Sequence, residues 1–368
     1  MIIGTVSEIK ADEGRVGVTP GGVEVLARDG HRVLVQAGAG VGSGYTDEQY
    51  LSLGAEIVES AGEVWRRAEM VVKVKEPLPS EWPLMRRGQV VFTYYHFAAS
   101  RPLTEGVAGS GVVAIAYETI TDDGGNLPLL TPMSEVAGRM SVQVGAWSLE
   151  RHAGGRGVLL GGVPGVMPAR VVILGGGVVG SNAAMIAAGM GADVQIFDLK
   201  LDRLRYLAEV MPPNVRTVMS TPASIRAAIA NADLVIGAVL IPGGRTPVLI
   251  SRADLSLMKH GAVIVDVGVD QGGCVETTRP TTHRDPTYEV DGVLHYCVAN
   301  MPGAVPRTST QALANATLPY VRQLAGKGWR AAAHDDGHLA AGVNIVEGQI
   351  IHEGVAEAHG MELTELVL

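Results

Sequence analysis

The stretch from Ala169 to Asp198, ARVVILGGGVVGSNAAMIAAGMGADVQIFD, limits the possible folds more than any other part of the chain. An apolar run, Val171 to Leu174, leads into Gly175, Gly177 and Gly180. Small residues then continue at helical length from Ser181 to Met190, and a second apolar segment, Asp193 to Phe197, delivers Asp198 eighteen residues beyond Gly180. Strand, glycine turn, helix, strand and acid, in that order, make the βαβ unit that binds dinucleotides. Gly175 permits the tight turn, Gly177 lets backbone approach a pyrophosphate, and Gly180 allows the helix to pack closely on the strand. The helix start, Val178 and Val179 included, offers free N–H groups and a positive dipole to phosphate. Asp198 can accept hydrogen bonds from the adenosine ribose hydroxyls and would repel a 2′-phosphate. That favours NAD over NADP, with Arg203 and Arg205 nearby as the opposing signal. In a chain with 48 glycines the G-x-G-x-x-G spacing alone says little, so the flanking strands and the acid carry the reading.

The 368 residues leave room for two domains, and a hydrophobic fraction of 47% with few aromatics suits close-packed α/β cores. Net charge is −9 with no basic run, which argues against a nucleic-acid partner. Cys274 and Cys297 are too few for a disulfide framework and sit in no CxxC, which suits a reduced compartment. The first residues, MIIGTVSEIK, lack a signal-peptide layout, and no apolar segment is long enough to span a membrane. The expectation is a soluble, cytoplasmic protein with no membrane partner.

Before the glycine turn, strands are predicted at Ile2–Val6, His31–Gln36, Ala55–Val58, Met70–Lys75, Val90–Tyr94 and Val112–Tyr117, alternating with helices. After it, strands are predicted at Leu234–Val239, Ala262–Val267 and Val293–Val298, with helices at Pro222–Ala230 and Arg252–Lys259. The fold class is α/β: two doubly wound parallel-sheet domains joined by long helices, the central one a Rossmann domain of about six strands. Met133 to Arg151 reads as a long bridging helix, and Asn300 to Ser309 as a linker back to the first domain. Residues 1–129 and 307–368 are thus expected to form one discontinuous domain, and residues 130–306 the dinucleotide domain. The C-terminal residues suggest a hairpin and a short helix around Val355–His359.

Ligands of such sheets bind beyond the carboxyl ends of the strands. Arg15, Lys75 and His96 all lie at such ends or in the loop after one. By spacing alone Arg15 reads as a surface arginine, and His96 equally as a capping or core histidine. Lys73 and Lys75 alternate with valines in VVKVKEP, share one strand face, and are not separated by spacing. In the second domain, Val239 to Pro242 ends one strand where a nicotinamide ring would lie against apolar side chains. Asp266 falls within the next strand, and Asp270 in the glycine-rich loop beyond it, where it also reads as a turn carboxylate.

EIKADEGRVGVTPGGV, KVKEPLP, FTYYH, PLLTPMSEVAGRMSVQ, GGRGVLLGGVPGV, LGGGVVGSNAA, VDQGGCVETTRPTTH and HYCVANMPGAVPRTST occur in this order across both expected domains. The chain resembles alanine dehydrogenases in these segments, almost end to end; the related set includes the NAD(H)-binding component of transhydrogenase. The resemblance implies reversible NAD-linked conversion of L-alanine to pyruvate and ammonia, and a homohexamer. It implies that Arg15 and Lys75 bind the substrate carboxylate and carbonyl side, which would settle the choice between Lys73 and Lys75. It makes His96 the acid/base and Asp270 a second acid/base or a water-orienting group. Ser134, Val239, Leu240, Asn300 and Met301 would line the cofactor site with Asp198, and Arg203 and Ser220 join them as candidates. Because Arg15, Lys75 and His96 belong to one domain and the cofactor to the other, a site formed across an interdomain cleft is expected. The alternatives are a transhydrogenase-type component that passes hydride to a partner, and another amino- or hydroxy-acid dehydrogenase on the same scaffold.

Overall fold

The computed structural model describes residues 1–239 and 246–368. Strands in chain order are β1 (Ile2–Thr5), β2 (Arg32–Gln36), β3 (Ala55–Val58), β4 (Met70–Val72), β5 (Val90–Thr93) and β6 (Val113–Ala116). They continue as β7 (Arg170–Leu174), β8 (Asp193–Asp198), β9 (Val215–Met219), β10 (Leu234–Gly237), β11 (Val263–Asp266), β12 (Thr287–Val290) and β13 (Val293–Tyr296). The last two are β14 (Val343–Val346) and β15 (Gln349–Ile350). The chain divides into two compact units, Met1–Met133 with Gly303–Leu368, and Ser134–Pro302.

The first unit is built on an eight-stranded sheet of order β15-β14-β6-β5-β4-β1-β2-β3. Its central strands are parallel, as the strand–helix alternation predicts. They are also buried on both faces: β4, β5 and β6 are buried throughout, so they read as continuous apolar runs rather than alternating ones. The C-terminal hairpin joins this sheet through β14, antiparallel to β6. The sequence suggests the hairpin but not its place, because pairing over more than two hundred residues leaves no local trace. Helix starts follow the capping rules: Thr19 accepts a bond from the Gly22 N–H with Pro20 next, and Thr46 with Gln49 forms a capping box.

The second unit holds a seven-stranded sheet of order β12-β13-β11-β10-β7-β8-β9. All pairs are parallel except β12 with β13. Seven strands rather than about six result because β9 and the edge strand β12 carry too few buried positions to signal themselves. The helix expected at Arg252–Lys259 is only a 3₁₀ segment, Ala253–Leu257. Its first turn is taken by Asp254, whose carboxylate accepts from the Ser251 N–H and hydroxyl. The long helix is Thr131–Ser148, and within this unit its small residues permit close packing. A Cβ at Gly138 would stand 2.3 Å from the Val179 carbonyl oxygen, and one at Gly145 2.7 Å from Leu234. Among the described residues no helix is long and apolar enough to cross a membrane.

Candidate functional site

In the second unit the cofactor candidates stand at the carboxyl ends of neighbouring parallel strands. The glycine turn follows β7, Asp198 ends β8, Ser220 follows β9 and Val239 follows β10. Asp270 lies on a 3₁₀ turn, Val269–Gln271, after β11, and Asn300 and Met301 lie beyond β13. Gly175 has φ +103°, and a Cβ there would stand 2.7 Å from the Ala238 carbonyl oxygen. At Gly180 a Cβ would meet the Gly175 carbonyl oxygen at 1.8 Å, so the helix Val178–Gly189 can sit this close only without a side chain. Gly177 differs: it is exposed, has φ −69°, and a Cβ there would meet nothing within 4 Å. It caps the helix without any side-chain bond to the first N–H groups. This bare, open helix start, with a carboxylate two strand ends away from β10, fits the diphosphate and ribose of a dinucleotide.

The Asp198 carboxylate holds the turn from the side, accepting from the Gly176 N–H at 2.9 Å and the Lys200 N–H at 2.8 Å. Ser220 is tied to the same point, its N–H donating to the Asp198 carbonyl at 3.0 Å. Arg203 donates through Nε to the Gly176 carbonyl and lies over the Tyr206 ring, while Arg205 pairs with Asp202 at 2.7 Å. Both arginines that opposed the NAD reading are thus engaged with the protein. Val178 is exposed and Val179 and Ser134 are half-buried, whereas Met301 is buried. Asn300 adopts a left-handed φ of +65°, with its carbonyl accepting from His283 Nε2 at 3.2 Å. Leu240, with Ile241 and Pro242, lies outside the described residues. Asp270 is presented by a loop that Asp266 pins at both ends: its carboxylate accepts from the Gly268 N–H at 3.1 Å and the Cys274 N–H at 2.9 Å.

In the first unit Arg15, Lys75, His96 and Glu118 follow β1, β4, β5 and β6, four adjacent strands of one sheet. Arg15 is not a surface arginine: it is 3% exposed. Glu13 takes its Nε at 2.7 Å and Nη2 at 2.5 Å, and Nη1 lies 3.1 Å from Met133 Sδ. The two-point pairing with Glu13 fixes the guanidinium plane. Lys73 and Lys75 do not share a strand face, because β4 stops at Val72 and the chain bends. Lys73 is fully buried and bridges Glu8 at 3.1 Å and Glu81 at 2.9 Å. Burial alone would depress its pKa, but the two carboxylates outweigh that and hold the ammonium above its ordinary range. The Lys75 ammonium makes no hydrogen bond or ion pair among the described residues, and burial, Arg15 and Lys10 push its pKa down.

His96 is exposed at a left-handed position, φ +54° and ψ +44°. Two further features hold it there. Glu118 accepts from the His96 N–H at 2.5 Å and the Tyr95 N–H at 3.1 Å, and the Tyr94 ring stacks on the imidazole with centroids 5.9 Å apart. Tyr94 is itself buried, with its hydroxyl donating to the Leu129 carbonyl. Glu118 stands just past β6, so the strand-end argument that selects His96 after β5 would have selected it too.

Residues 4–137 match the N-terminal domain of the alanine dehydrogenase/PNT family, and residues 141–353 its C-terminal domain. The alanine dehydrogenase of Mycolicibacterium smegmatis is 52% identical over 365 residues, covering 99% of this chain and 98% of that one. That of Bacillus subtilis is 55% identical over 363 residues, covering 98% and 96%. A solved L-alanine dehydrogenase structure superposes with a TM-score of 0.95 at 54% identity, covering 98% of this chain and 99% of the other. A transhydrogenase structure from Sinorhizobium meliloti superposes with a TM-score of 0.82 at 25% identity, covering 96% and 99%. With both domains matched in order and relatives more than half identical along nearly their whole length, the chain belongs to the alanine dehydrogenase/PNT family.

Proposed function

We propose that the chain is an NAD-dependent oxidoreductase that interconverts L-alanine with pyruvate and ammonia. The observation that carries this reading is the Lys75 ammonium, which makes no hydrogen bond or ion pair among the described residues and lies near the braced guanidinium of Arg15, while its neighbour Lys73 is paired twice. A buried cation with no hydrogen bond or ion pair of its own among the described residues, beside a second cation held in place by Glu13, suits an anionic or strongly polar ligand, and a 2-oxo acid is one. Arg15 holds the carboxylate with its planar fork, and Lys75 donates to the carbonyl oxygen as a point charge. His96 holds or takes the proton at the reacting nitrogen or at the attacking water, and Asp270 orients that water. When bound, NAD supplies the hydride acceptor at its nicotinamide ring. The glycine turn, Asp198 and Ser220 hold its adenosine diphosphate end, with Val239, Asn300 and Met301 toward the ring. The same reading includes a cytoplasmic homohexamer, which sedimentation of the purified protein would test.

The defining experiment follows NADH absorbance on addition of L-alanine, against glycine, serine and L-lactate, and with NADP in place of NAD. Alanine-dependent growth of the signal, much stronger with NAD, is expected. No alanine-dependent signal, with NADH binding intact, would leave the transhydrogenase-type alternative standing.

A further inference from the structure

We infer that Glu8 is a positioning residue for Lys75, acting through the backbone, and that Lys73 is its charge partner. This rests on the reading of Lys75 as a substrate-binding group. β1 and β4 pair side by side, but their ladder ends early: β1 stops at Thr5 and β4 at Val72. Beyond that point the N–H groups of Val74 and Lys75 have no strand to bond. Glu8, in the loop after β1, supplies the missing acceptor with its side chain. Its Oε1 accepts from the Val74 N–H at 2.6 Å and the Lys75 N–H at 3.2 Å, while Oε2 accepts from the Lys73 ammonium at 3.1 Å. The carboxylate is 2% exposed, and the two side chains it shares the cluster with are equally enclosed, Lys73 at 0% and Glu81 at 6%.

The rest of the turn is held from the other side. The Thr93 hydroxyl donates to the Lys75 carbonyl at 2.9 Å, and the Tyr117 hydroxyl to the Lys73 carbonyl at 3.0 Å. Lys75 is therefore fixed at its N–H and at its carbonyl, while its ammonium has no hydrogen bond or ion pair among the described residues. A buried carboxylate cannot do this without a cation, because its desolvation would go uncompensated. Lys73 meets that need and, in doing so, is removed from competition for the ligand. Glu81 shares Lys73 but bonds only the Leu78 N–H, so it touches no backbone of Lys75. The two carboxylates are thus nearly equal in charge and burial and unequal in what they hold.

That inequality gives the test. Pyruvate affinity is read by titrating the NADH-loaded protein without ammonium, following NADH fluorescence, alongside thermal midpoints. Glu8→Gln and Glu81→Gln each remove one charge from the cluster, so both should lower the midpoint. Only Glu8→Gln should weaken pyruvate, by about tenfold, since its single amide oxygen is drawn to the Lys73 ammonium, which turns the N–H₂ against the Val74 and Lys75 N–H groups and removes their acceptor. In a Lys75→Ala background Glu8→Gln should cost no further affinity, because a residue acting through another has nothing left to position. If Glu8→Gln fails to fold, Glu8→Asp keeps the charge, shortens the reach, and takes its place. Equal weakening by both single variants, an unchanged affinity in the Glu8 variant, or full additivity with Lys75→Ala would overturn the inference. Wild-type pyruvate affinity in Lys75→Ala itself would instead overturn the assignment of Lys75 as a substrate group.

Discussion

The strand ends at Leu174 and at Val72 solve the same problem by opposite means. Each stops a buried parallel strand and, in the proposed reading, presents polar groups to a ligand. After Leu174 the chain removes side chains: Gly175, Gly177 and Gly180 let backbone do the work, and the helix start is left bare. After Val72 the chain adds charge: Lys73, Glu8 and Glu81 form an enclosed ionic cluster so that one further cation, Lys75, can stand unpaired. The first device is written within a dozen residues of the chain, although Gly175 also needs room beside the Ala238 carbonyl. The second is assembled from residues 65 and 8 positions apart, and it holds a net surplus of carboxylate in a dry place. A phosphate accepts many weak, diffuse donors. The small 2-oxo acid proposed for Lys75 presents few handles, each of which must meet a fixed charge.

The comparison can be broken from either side. The largest effect is expected at the reaction itself. Replacing His96 by Ala should lower turnover by about 10²- to 10⁴-fold while leaving NADH affinity nearly unchanged. Wild-type turnover in that variant would remove His96 from the proton path. Next comes the ionic cluster. Lys73→Met leaves two buried carboxylates without their cation and should cost about 3–5 kcal/mol in denaturant unfolding. The pH dependence has a definite sign. Burial already holds the Glu8 carboxyl above its ordinary value against the pull of Lys73, and without Lys73 it rises further, so the folded state binds an extra proton. The lost stability should return as pH falls toward the ordinary carboxyl range, and vanish again as pH rises through the raised Glu8 value. A loss independent of pH would mean that packing, not charge, sets the cost.

The glycine turn should respond residue by residue. Gly180→Ala places a methyl against the Gly175 carbonyl and should destabilise the fold by about 1–3 kcal/mol, seen in thermal melts. Gly177→Ala has open space and an ordinary φ, so its melting point should barely move, within about 0.5 kcal/mol, while NADH binding weakens. Equal stability losses at the two positions would show that Gly177 is there for the fold. The smallest effect concerns Lys75. With its pKa held below the usual lysine range by burial and Arg15, pyruvate affinity should fall on the alkaline side earlier than for an ordinary lysine. That alkaline limb should be absent from Lys75→Ala.

The amino-acid sequence determines on its own what depends on neighbours in the chain. Residues Ala169 to Asp198 announce strand, turn, helix and acid, since glycine placement and apolar run length are local constraints, and the same alternation announces two α/β sheets. Strand-end logic also brings out Arg15, His96 and Asp270. Tertiary structure decides what depends on who is buried with whom. Alternation places Lys73 and Lys75 together, yet burial and two carboxylates, one of them 65 residues away, make the first a structural ion, while the second has no ion pair among the described residues. Strand-end position marks Glu118 and Glu8 as well, but that Glu118 pins the His96 backbone from 22 residues away, and Glu8 that of Lys75 from 67, is decided only by the fold. A charge's value is set by its desolvation and its partner, and only the folded chain supplies either.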